Sequence, residues 1–77
     1  MNILTIAASL LGRPFMLEAK RLGHNVYLLT SEKRLKEAWP REQLADIWAV
    51  PDLFDEKTVR YVVSYLARDI KFDRIVP

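Results

Sequence analysis

The chain has no cysteine, which excludes disulfides, thiolate metal centres and cysteine nucleophiles. It has one histidine, His24, so no histidine-based metal site is expected. Only two glycines occur, Gly12 and Gly23, too few for the Gly-x-Gly-x-x-Gly loop that cradles a dinucleotide pyrophosphate. No apolar run approaches the ~18 residues of a membrane span. The start also lacks the basic region of a signal peptide, so no membrane partner is expected and a cytoplasmic location is the default expectation. Neither sign of charge dominates, with 12 Lys+Arg against 10 Asp+Glu and a formal charge of +2. Acids and bases are interleaved in Glu18-Ala-Lys20-Arg21 and again from Glu32 to Glu37. A nucleic-acid binder gathers its bases into one patch with aromatic residues between them, so no nucleic-acid partner is expected.

What is present is the balance of a globular domain. Hydrophobic residues make up 51% and charged residues 29% of 77 positions, enough for one small domain, residues 1–77, with a modest core. An apolar strand begins at the first residue and breaks into a small-residue loop with Ser9 and Gly12. Pro14 opens an amphipathic helix in which Phe15, Ala19 and Leu22, with Met16 beside them, make the inward stripe. Gly23 caps it, and a second apolar strand covers residues 25–30. That is one βαβ module in about thirty residues.

Thr30 and Ser31 end the second strand and are placed to cap a helix over residues 32–39, stopped by Pro40. A short turn over residues 41–45 leads to a third strand, residues 47–50, closed by Pro51. Asp55 is a good N-cap for the next helix, whose stripe runs through Val59, Val62, Val63, Leu66, Ala67 and Ile70. Residues 72–77 read as a fourth strand. The order β, α, β, α, β, α, β specifies an α/β fold, a four-stranded parallel sheet of strand order 3-2-1-4 with crossover helices in three α/β/α layers. A larger doubly wound domain would continue with a helix and more strands, so the piece is expected to belong to a longer chain.

In open parallel sheets ligands lie beyond the carboxyl ends of the strands. The first place to look is therefore the loop of Ser9, Leu10, Gly12 and Arg13 after strand one. Backbone N–H groups at a helix start can hold an anion there, and Arg13 can reach a phosphate or carboxylate. Thr30, Ser31 and Glu32 lie at the end of strand two, where an acid can take a ribose hydroxyl. Pro51 and Asp52 close strand three on the same rim. Helix capping by Ser31 and turn formation by Pro51-Asp52 are the plainer roles. His24 lies at the opposite end of the sheet, and Trp39 and Trp48 are read as packing residues. No catalytic residue and no metal ligand is identified.

The opening Asn-Ile-Leu-Thr-Ile-Ala-Ala-Ser, the segment Leu-Gly-His-Asn-Val-Tyr-Leu-Leu-Thr, then Trp39-Pro-Arg-Glu42, Val50-Pro-Asp-Leu53 and Phe72-Asp-Arg-Ile-Val-Pro77 together resemble the N-terminal domain of ATP-grasp enzymes. In that superfamily a small Rossmann-like unit, similar to the biotin carboxylase N-terminal domain, precedes the ATP-binding domains. The resemblance implies a parent ligase that joins a carboxylate to an amine through an acyl phosphate. ATP and Mg2+ would be held mainly by the remaining ATP-grasp domains, and this module would shape the side of the cleft that takes a small-molecule carboxylate substrate. The piece alone would lack activity.

Two other enzyme or binding classes fit less well. A two-domain glycosyltransferase begins with a similar strand, loop and helix, but places a Gly-His pair in its first loop, which this chain does not. A receiver domain needs acids after strand one to hold magnesium beside a phosphorylated aspartate, and the strand ends Ala-Ala-Ser. A free-standing small-ligand-binding α/β domain is the remaining alternative. Strand four is expected at an edge, guarded by the charges of Asp73 and Arg74, so a homodimer of the piece is expected.

Overall fold

A computed structural model describes all residues from Met1 to Pro77. Four strands, β1 (Asn2–Ile6), β2 (Asn25–Ser31), β3 (Asp46–Val50) and β4 (Arg74–Val76), form one sheet in the order β3-β2-β1-β4. All three pairings are parallel, with Leu4 level with Tyr27 and Ile75, and Leu29 level with Trp48. The helices are α1 (Arg13–Arg21) and α2 (Glu56–Leu66). No helix is long and apolar enough to cross a membrane.

Side chains alternate along a strand, so β1 contributes to two cores. Ile3 and Ala7 join Met16 and Ala19 of α1, Val26 and Leu28 of β2, and Trp39. Leu4 joins Leu29 and Val50, with Val59, Val62 and Val63 of α2 packed against them. Leu4, Leu28 and Leu29 are fully buried, and each such side chain stabilises the fold by about 1.5–3 kcal/mol relative to exposure.

The first helix starts and stops where its sequence directs. Pro14 stands in its first turn, where a missing N–H costs nothing. Gly23 follows it with φ +92°, the left-handed region that L side chains avoid. The inward face is turned from the expected one. Met16 and Ala19 are buried, whereas Phe15 and Leu22 are exposed. The cause is Gly12, whose backbone lies so close to Ala7 and Met16 that an added Cβ would sit 3.3 Å from the Ala7 Cβ. That approach fixes the helix rotation with Met16 against the sheet. On the outer surface Arg21 pairs with Glu18 at 2.5 Å and holds its carboxyl below the ordinary value, but both are exposed and such a pair contributes little.

The helix expected over residues 32–39 does not form, which leaves two crossover helices where three were expected. A single 3-10 turn, Glu32–Arg34, stands in its place, and the Ser31 side chain makes no capping bond. The reason lies downstream. The Trp39 indole N–H donates to the Arg34 carbonyl at 2.8 Å, and the Arg41 guanidinium donates to the carbonyls of Leu35 and Glu37. Two of these acceptors, the Arg34 and Leu35 carbonyls, are ones that a helix over residues 32–39 would have used. A second 3-10 turn, Arg41–Gln43, precedes β3.

Asp55 caps α2 as expected, accepting from the Thr58 amide at 3.2 Å and its hydroxyl at 2.8 Å. These bonds hold its carboxyl below the ordinary value. The helix stops at Leu66, so Ala67 is only its C-cap and is exposed, and Ile70 lies beyond it. β4 is shorter than expected, Arg74–Val76, and Phe72, just before it, meets the Tyr27 ring edge-on at 5.5 Å. Asp73 does not guard the open edge. Its carboxylate accepts the Asn2 amide at 2.8 Å, and its own amide donates to the Asn2 carbonyl at 2.8 Å, which pins β4 to β1.

Candidate functional site: a two-part rim at the strand ends

Because every strand runs the same way, the residues that follow β1, β2 and β3 and the end of β4 meet on one rim. Two clefts open there and share Ala8 as a wall. The smaller, about 370 Å³, lies between the ends of β1 and β4, with Ser9, Gly12, Phe15 and Val76 in its wall. This is where the direction of strand succession reverses, the usual ligand position in an open α/β sheet. The larger, about 550 Å³, lies over the ends of β2 and β3 and is lined by Ser31, Lys33, Arg34 and residues 51–54.

Of the four residues expected after strand one, Ser9 and Gly12 line the smaller cleft, whereas Leu10 and Arg13 line neither. Leu10 packs against the core instead. The Ser9 hydroxyl accepts the Leu11 amide at 3.3 Å and so caps a 3-10 turn, Leu10–Gly12. The Arg13 amide donates to the Leu10 carbonyl, and Pro14 has no amide hydrogen. The loop therefore uses internally the amides of Leu11, Gly12 and Arg13, three of the donors that an anion would seek at a helix start. The Arg13 guanidinium is exposed and joins none of the three ion pairs of the molecule.

The five residues expected at the ends of strands two and three divide in the same way. Ser31, Pro51 and Asp52 line the larger cleft together. Thr30 is fully buried, lines neither cleft, and its hydroxyl has no partner. Glu32 is exposed and outside both. Asp52 Oδ1 accepts the Phe54 amide at 2.9 Å, a turn-forming bond typical of aspartate. Lys33 and Arg34 were not anticipated as site residues. They reach the cleft because the segment after β2 makes one tight turn rather than a helix. The signal in the sequence is a pair of cations within three residues of a strand end.

His24 sits at the far, amino end of the sheet, with Nδ1 3.1 Å from the Met1 amino group. Trp39 and Trp48 belong to different cores, Trp48 stacking on Tyr27 at 5.6 Å. No three His, Asp or Glu side chains gather as a metal-binding set. Compared with known proteins, the chain matches no family model, no curated protein and no solved structure.

Proposed function

We propose that the chain is a Rossmann-like, three-layer α/β/α module that forms the substrate side of an ATP-dependent carboxylate–amine ligase of the ATP-grasp type. The observation that carries the reading is the position of the rim. Exposed cations, Lys33 and Arg34, line the larger cleft, and the exposed Arg13 directly follows Gly12 of the smaller one in sequence, which suits a small carboxylate. The strand order and the sequence resemblance support it as well. The module binds and orients the carboxylate; ATP and Mg2+, which activate it, belong to the partner domains of the longer chain. The open edge at β4, where Ile75 is half-exposed, favours self-association of the isolated piece by strand pairing.

The test has two arms. Calorimetry of the 77-residue chain with Mg-ATP should show no micromolar binding, and such binding would contradict the reading. In the intact ligase, Arg13→Ala should lower kcat/KM for the carboxylate by about tenfold, the loss of one charge-assisted bond, with an unchanged melting curve. Unaltered kinetics would sink the role given to the rim.

A further inference from the structure

The larger cleft has cations on one wall and a carboxylate on the other, and they do not meet. Lys33 and Arg34 come from the β2 side and Asp52 from the β3 side. None of the molecule's three ion pairs joins Asp52 to either cation. Arg34 uses Nη1 on Glu37 at 2.7 Å, which leaves its remaining N–H groups available, and Lys33 has no partner at all. Ser31 makes no capping bond, so its hydroxyl is free to turn into the space. Asp52 commits Oδ1 to the Phe54 amide and leaves Oδ2 open. The wall is completed by Pro51, Leu53 and Phe54, and Phe54 is 90% exposed, a large apolar side chain held out at the mouth.

Opposite charges that share a cleft without contact are complementary to a ligand that is itself dipolar, because only such a ligand satisfies both walls at once. We propose that this cleft binds a small molecule that carries a carboxylate and a hydrogen-bond donor close together, with an apolar body branching from them. The carboxylate meets Lys33, Arg34 and the Ser31 hydroxyl. The donor, an ammonium or a hydroxyl group, meets Asp52 Oδ2, and the apolar body lies against Leu53 and Phe54. The inference rests on the reading that the strand-end rim is the ligand side, and it is independent of the ligase chemistry.

The test is calorimetry and amide-shift titration of the chain with four probes that share one apolar body: phenylalanine, 3-phenyllactate, hydrocinnamate and phenethylamine. Phenylalanine or phenyllactate should bind about tenfold more tightly than hydrocinnamate, which lacks the donor, and than phenethylamine, which lacks the carboxylate. The tighter of the first two identifies the donor as ammonium or hydroxyl. Shifts should concentrate at residues 31–34 and 51–54. Lys33→Gln, an exposed change, should weaken the best probe about tenfold. Asp52→Asn, which still accepts the Phe54 amide, should abolish the preference over hydrocinnamate. Lys20→Gln on the outer face of α1 is the control and should leave affinity unchanged. Hydrocinnamate binding as well as phenylalanine and phenyllactate, unaltered affinity in Lys33→Gln, or no binding by any probe at about 10 mM would overturn the proposal. None of these results depends on the Arg13→Ala kinetics, so failure here and failure of the ligase reading are distinguishable.

Discussion

The two helices differ in a way that their sequences do not suggest. α2 is the longer, with eleven residues and the cleaner apolar stripe, yet none of its residues is fully buried. α1 has nine residues and a mixed sequence, yet buries Met16 and Ala19. The difference lies in what stands beside each helix. The core around α1 is also covered by Trp39 and Leu44, from the segment that joins β2 to β3. The core around α2 has three fully buried members and a margin of half-buried ones. A stripe of valines secures burial only when neighbouring elements close its flanks.

The largest expected effect tests this comparison directly. Met16→Ala should cost about 2–5 kcal/mol in urea unfolding, a buried truncation with a cavity, whereas Val62→Ala should cost only about 1 kcal/mol because its surface is partly in water already. Equal losses would break the contrast. At the end of α1, Gly23→Ala meets nothing within 4 Å, so its cost is backbone strain alone, about 1–2 kcal/mol; Gly23→Asn should lose less.

A smaller effect is expected at the start of α2. Asp55→Ala should lower the melting temperature and remove part of the acid sensitivity. The Asp55 carboxyl is held below its ordinary value when folded, so the unfolded chain takes up its proton first as pH falls. The cap's contribution is therefore complete above the ordinary carboxylate range and is lost as pH drops through that range toward the folded value. Melting curves from pH 7 to about pH 3 should converge for the two proteins at the acid end. The smallest effect is expected at Thr30→Val, which replaces a buried hydroxyl that has no partner with a methyl group and should leave stability unchanged or raise it.

Much of the sheet was legible in the sequence. Four apolar runs, each closed by a turn residue, set the strands, and the usual order of right-handed crossovers in such sheets set the order 3-2-1-4. The rotation of α1 was not legible, because the approach of Gly12 to Ala7 and Met16 is a contact across the fold and leaves no periodic trace. The missing helix was hidden for a similar reason. Residues 32–38 are helix formers, and what overrides them is the reach of Trp39 and Arg41 back to three carbonyl oxygens. Ser31, Pro51 and Asp52 were found on the rim because strand ends are easily placed. Lys33 and Arg34 were missed because a helix in that segment would have carried them elsewhere.

The bonds that fasten β1 on its two sides set an order of assembly. On one side the Asn2 side chain accepts the Asn25 amide group across 23 residues of chain; on the other, Asn2 meets Asp73 across 71. The short loop closes first, since closure entropy and contact order both penalise the long one. β1, α1 and β2 are thus the expected nucleus, with β4 docking afterwards. Changes in the first module therefore alter the folding rate, and changes at Ile75 or Val76 alter the unfolding rate.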